Sequence, residues 1–318
     1  MTDTPPASPP PALPAPACPI TGAPGSRLIQ RVPTRLLRAL WRATFGVDPA
    51  PLYAGIARLH LWESPCGLAF WDPPVPGDAA FYRGLYGRNR LHSWLGEDRA
   101  EFRTAAAHIR PGSKVLDVGC GEGAFADHIP RCTHVGLDPF FAGTAPPGRD
   151  IRAEQVVSHA AAQEGAYDVA VAFQVMEHLP DPLGFARDVA RCVRPGGLVM
   201  LGVPLWPSST TAIPNFVLNA PPHHCSLWTP QALRAVAAAA ELTEPEIVEL
   251  PASGATALLA WAARLAPKRP AEPWFRHAWS WHAGLAWSLL GARVMHALAG
   301  PPSAAPPCDA LMVARKRG

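Results

Sequence analysis

Between residues 114 and 251 the apolar positions gather into short runs, separated by polar, glycine-rich or proline-rich stretches. Residues 115–118, 135–137, 167–173 and 198–203 are runs of this kind, short and aliphatic enough to read as strands. The run 167–173 is almost unbroken, which predicts a central parallel strand buried on both faces. Residues 151–156, 246–250 and 309–314 are expected to add three more strands. Helical spacing alternates with these runs. Leu183, Ala186, Val189 and Ala190 share one face of 182–192. Thr229 is the expected N-cap and Pro230 the first residue of a helix running through 231–241. Residues 34–44 read as an amphipathic helix, and 97–109 as a helical run that Pro111-Gly112 stops. Strands alternating with helices predict an α/β fold.

One stretch organises the rest. Residues 114–125 read KVLDVGCGEGAF: a short strand, a glycine turn, then the start of a helical run over 124–129. Glycine is required where a backbone turns with positive φ or lies flat against a ligand. A strand, glycine turn and helix start together form a nucleotide-type pocket at the carboxyl end of a parallel strand. Asp138 follows Gly119 by nineteen residues, at the end of the second strand, where a carboxylate can accept both hydrogen bonds of a ribose diol. A dinucleotide fold uses G-x-G-x-x-G and places a pyrophosphate on the helix N-terminus. Here the spacing is G-x-G-x-G, and Asp117 stands just before the turn. A carboxylate there repels a pyrophosphate and suits a ligand with a cationic amino group.

The segment DVGCGEGAF followed by GLD resembles the first two motifs of the class I S-adenosylmethionine-dependent methyltransferases. YDVAVAFQVMEHLPDP (167–182) is similar to that family's fourth strand and following loop, and CVRPGGLVMLGVP (192–204) to its fifth. The resemblance covers about 114–251, under half the chain. It implies a seven-stranded, mostly parallel Rossmann-like sheet with helices on both faces, whose last strand lies antiparallel between the fifth and sixth. It implies S-adenosylmethionine as cofactor, with Asp117, Gly119, Cys120 and Gly121 around it, Asp138 on the ribose and Gln174 at the end of strand four. The expected reaction is methyl transfer to a small-molecule acceptor, foremost a hydroxyl. His178, on the loop after strand four, is the first candidate base, because neutral imidazole is available near pH 7. His223, in the loop after strand five, is the second, with His224 beside it. Adjacent histidines do not easily share one metal, so no metal is expected. A silent cofactor-binding module and a nicotinamide oxidoreductase are the alternatives; the loop spacing and the EHL and RPGG stretches disfavour the latter.

The flanks change the picture in three places. Residues 1–17 are proline and alanine with little apolar bulk, a disordered tail. Residues 18–90 resemble a small zinc-ribbon-like module of two hairpins. Its metal pairs are degenerate, Cys18 with Thr21 and Glu63 with Cys66, and threonine is a poor zinc ligand. Tyr82, Tyr86 and Trp94 are candidates for a cover over the cofactor. The remaining 91–318 form the cofactor-binding domain. Within it, 254–307 is an insertion with five tryptophans and a long apolar run, expected to pack over the substrate cleft in preference to lying on a membrane surface. After Asp138, prolines and glycines leave room only for a short, irregular crossover.

Composition then excludes partners. The chain has 318 residues, 48% hydrophobic and 17% charged, with a net charge of +3 spread along its length. No nucleic-acid surface is indicated. Seven scattered cysteines, and no basic region followed by an apolar stretch at the N-terminus, point to a reduced, cytoplasmic protein.

Overall fold

The computed structural model describes residues 14–89, 99–250, 252, 254–267, 274–300, 302 and 307–318. Residues 1–13 of the expected tail 1–17, Trp94 and the expected junction near residue 90 lie outside the described residues. The end of that tail is ordered: the Gly25 N–H donates to the Pro16 carbonyl at 2.9 Å, and Ala17 bridges to Pro24. The N-terminal part holds β1 (Arg27–Pro33), α1 (Thr34–Phe45), β2 (Arg58–Glu63), β3 (Ala69–Asp72) and α2 (Ala79–Asn89). β1 to β3 form an antiparallel meander, and α1 buries Leu36, Leu37, Leu40 and Trp41. The helix stops at Gly46, whose φ of 69° lets its N–H return to the Arg42 carbonyl.

Next come α3 (Ala100–Ala107), β4 (Lys114–Val118), β5 (Thr133–Leu137), β6 (Asp150–Arg152), α4 (Val156–Ala162), β7 (Tyr167–Phe173), α5 (Pro182–Cys192) and β8 (Val193–Pro204). β9 (Ser226–Leu227), α6 (Pro230–Ala239), β10 (Leu242–Leu250), α7 (Gly254–Leu265), α8 (Trp279–Ala299) and β11 (Asp309–Lys316) complete the order. Seven strands make one sheet, in the order β10-β11-β8-β7-β4-β5-β6. β8, β7, β4, β5 and β6 pair in parallel, and β11 is antiparallel to both β8 and β10. This is the expected sheet, with the last strand between the fifth and sixth.

Alternate residues of β7 feed opposite faces. Ala170 and Ala172 pack with Ala186 and Val189 of α5 and Leu233 and Val236 of α6. Val169, Val171 and Phe173 pack with Phe102 of α3 and with Phe125. Two buried faces explain why the run is almost wholly apolar. The helix caps agree with the sequence: Asp181 accepts from the Gly184 N–H and Thr229 from the Ala232 N–H.

Three elements differ from expectation. The run after the glycine turn is a 3₁₀ turn, Ala124–His128, because Gly123 at φ 76° and Pro130 leave no length for an α-helix. The third strand is only Asp150–Arg152, and Val156 already opens α4. β10 starts at Leu242, four residues early, across an irregularity that puts Glu244 at φ 53°. The crossover after Asp138 contains no helix, as its prolines and glycines require.

The N-terminal meander is completed from the other part of the chain. β9 pairs antiparallel with β3, through Ala69 with Leu227 and Phe70 with Ser226. Trp41, Trp71 and Leu61 share a core with Trp206, Val217, Ala220 and Phe275. At the two pairs expected from the zinc-ribbon resemblance, Cys18 Sγ and Cys66 Sγ lie 3.8 Å apart, while Glu63 pairs with Arg27 at 2.9 Å. Ser64 Oγ, 2.9 Å from Cys66 Sγ, is the nearer polar neighbour.

Candidate active site

Asp117 lies on β4 one residue before the strand ends, and is almost fully buried. Its Oδ2 is 3.2 Å from His134 Nε2, and its Oδ1 has no partner. The turn that follows is held by two N–H groups, of Gly119 and Cys120, donating to the Leu137 carbonyl at 2.7 and 3.1 Å. Gly119 adopts φ 76°, and a Cβ there would collide with Val175 Cγ2, so the turn needs glycine on both counts. Gly121 has open space where its Cβ would be. Its N–H donates to Asp138 Oδ2 at 3.0 Å, and the Phe140 N–H donates to Asp138 Oδ1 at 2.8 Å. Each Asp138 oxygen thus keeps acceptor capacity for a diol. The Cys120 thiol packs under Gly136, and burial pushes its pKa up.

The loop after β7 carries the second half of the site. Gln174 sits at φ 58°, and its Nε2 donates to Glu101 Oε2 at 3.0 Å and to Asp309 Oδ1 at 3.4 Å. Its amide donor is therefore spent on two carboxylates that sequence reasoning did not single out. Glu101 is buried and also meets Arg99 at 3.1 Å. Glu177 is fully buried, with neither carboxylate oxygen partnered. Burial, with Glu101 next, raises the pKa of Glu177 well above normal and pushes Asp309 up to about 7. No sequence signal joins these acids, because residues 101, 177 and 309 are brought together only by the sheet order.

His178, His223 and His224 converge. Their ring centroids are 4.6, 5.0 and 4.5 Å apart in pairs. His178 Nδ1 donates to the His223 carbonyl at 2.5 Å, and His223 Nδ1 to the Leu218 carbonyl at 3.1 Å. Those bonds put a proton on each Nδ1, and the Gln174 backbone makes a further hydrogen bond to the His178 ring. His178 Nε2 stands 3.6 Å from Glu177 Oε1. Burial lowers the pKa of all three, that of His178 to about 4. The histidine loop is anchored by the N-terminal part: Trp41 Nε1 and Tyr53 Oη donate to the Pro221 carbonyl at 3.1 and 2.6 Å, and Trp71 Nε1 to the Asn219 carbonyl at 3.1 Å. Tyr82 of α2 lies edge-on to His178 at 6.0 Å, with Tyr86 stacked behind it. One ligand atom from each of the three imidazoles falls within 4.8 Å of the others, so the geometric reason for excluding a metal there is gone.

A family profile described as a methyltransferase domain matches residues 88–244. Those residues are a methyltransferase domain. The domain belongs to the class I S-adenosylmethionine-dependent methyltransferases, whose glycine turn it carries, and with Asp309–Lys316 it builds the seven-stranded sheet of that class. Among curated relatives, this chain is similar to the ubiquinone biosynthesis O-methyltransferase of Escherichia coli. The two are 40% identical over 97 residues, which is 27% of this chain and 40% of the relative. The chain thus spans well under half the length of the curated relatives it matches. Among solved structures, a SAM-dependent methyltransferase from Archaeoglobus fulgidus aligns over 76% of this chain and 100% of its own, at 14% identity and a TM-score of 0.47. The residues of the methyltransferase domain fit that class's cofactor. Asp117 Oδ1 is an orphaned buried acceptor for an ammonium group, and Gly121, whose N–H meets Asp138, leaves open space where a Cβ would stand.

Proposed function

We propose that this protein transfers a methyl group from S-adenosylmethionine to a hydroxyl of a small-molecule acceptor. The observation that carries the reading is the glycine turn between two carboxylates, Asp117 and Asp138, touching Val175 three residues before His178. When bound, S-adenosylmethionine supplies an already activated methyl group. The chain's own tasks are then positioning and proton removal. Asp117 and Asp138 hold the amino and ribose ends, Cys120 and the glycines shape the turn, and Gln174 fixes the loop that closes over it. His178 Nε2 takes the hydroxyl proton. His223 orients His178 through its carbonyl and stands second in line as the acceptor. Glu177 Oε1 lies 3.6 Å from His178 Nε2, and burial favours its neutral carboxyl, so it serves to position the ring rather than to carry a counter-charge. An oxygen acceptor is supported by the likeness to the Escherichia coli O-methyltransferase. The odd count of seven cysteines supports a reducing, cytoplasmic setting.

His178→Ala tests the assignment. Turnover should fall about 10²–10⁴-fold with S-adenosylmethionine affinity kept. Near-normal turnover would remove His178 as the base. In this reading the imidazoles work without a metal, so chelation should leave turnover unchanged and elemental analysis should find no stoichiometric zinc. Activity that EDTA abolishes and one equivalent of zinc restores would recast His178 as a ligand.

A further inference from the structure

α8 presents two contrasting faces. Its inner side, with Trp281, Gly284, Ser288 and Ala292 buried, packs on α7 and on Ile213 and Phe216 of the loop after β8. The outer side is exposed from end to end and apolar apart from Ser280 and Arg293. Trp279 is 83% exposed, Trp287 63%, Leu290 60%, Val294 57% and Leu298 78%. Among the described residues only two other large apolar side chains, Phe140 and Val157, are comparably exposed. Helical spacing aligns the five along one stripe about 30 Å long. A soluble surface does not keep a stripe of that size uncovered without a partner.

Charge decides the partner. In sequence, residues 254–308 carry Arg264, Lys268, Arg269, Arg276 and Arg293 against one acid, Glu272. Arg276 precedes the stripe and Arg293 lies on its edge, both exposed. Such an excess repels a second copy of the same face and attracts anionic headgroups. No described helix is long and apolar enough to cross a membrane, so the helix lies along the surface. We infer that the outer face of α8 docks this protein on an anionic lipid bilayer, with Trp279 and Trp287 at the headgroup boundary.

The test is co-sedimentation of the full chain with phosphatidylglycerol–phosphatidylcholine vesicles and with pure phosphatidylcholine vesicles. The mixed vesicles should bind it and the neutral ones much less, and raised salt should weaken the binding. A variant with Trp287→Ser and Leu290→Ser should bind roughly tenfold more weakly or worse. Both side chains are exposed, so its melting temperature and its calorimetric affinity for S-adenosylmethionine should match the unsubstituted protein. Unchanged sedimentation of the variant overturns the proposal. So does light scattering that shows a dimer which the variant breaks, with no vesicle binding by either form; the stripe is then an interface between copies.

Discussion

Asp309 opens β11 beside Glu101 and near Glu177, with Arg99 the neighbouring cation. Its folded pKa is raised to about 7, above the ordinary carboxylate value, by burial first and by Glu101 second. The native state therefore holds a proton that the unfolded chain releases between about pH 4 and pH 7. Stability from this group is full below that window and is lost as pH rises through it. Asp309→Asn removes the dependence. Relative to the unsubstituted protein, the variant should gain about 3 kcal/mol between pH 4.5 and 8 for the full shift, and about 1 kcal/mol for half of it. Urea unfolding at the two pH values measures it, and a constant difference would show that Asp309 ionises normally. At the glycine turn, Gly119→Ala adds a strained φ to a collision with Val175 and should cost about 2 kcal/mol or more. Adding Val175→Ala should recover the collision but not the strain, which a thermal-melting cycle reads directly. Asp138→Ala should weaken S-adenosylmethionine binding by about 1.5–3 kcal/mol, the range for a charge-assisted bond; an unchanged dissociation constant removes the ribose assignment. Asp117, Gly119 and Asp138 were legible because each belongs to a local strand-and-turn pattern. The partners of Gln174 were not, since Glu101 and Asp309 lie 73 and 135 residues away.

Among the elements, the strands and capped helices of the sheet were readable wherever period and cap chemistry agreed, as in α5 and α6. The 3₁₀ turn at Ala124–His128 was not, because five residues of helical composition do not reveal that both ends are pinned. The insertion shows the same limit. Its apolar residues outnumber what one buried face takes, and sequence alone does not say which surplus remains outside. α1 shows how an element distant in sequence governs the site. Its Trp41 indole, with the Tyr53 hydroxyl, holds the Pro221 carbonyl two residues before His223. Replacing both, as Trp41→Phe with Tyr53→Phe, deletes about 1 kcal/mol per bond. Turnover should drop while cofactor affinity holds, and amide exchange should quicken over residues 219–225. Unaltered exchange there would mean the loop is held by its own turns.

For the whole molecule, the pairing of β3 with β9 joins residues 69–70 to 226–227, about 155 positions apart in the chain. A chain made from its N-terminus at about 5–20 residues per second needs roughly 10–30 s to bring the second partner out after the first. Throughout that interval β3 offers an unpaired edge, with Phe70 and Trp71 on it, to any other strand nearby. The N-terminal meander cannot finish before the domain that follows it. Folding order is therefore set by the later part, and a pause in synthesis between residues 72 and 226 lengthens the time in which nascent chains can pair with one another.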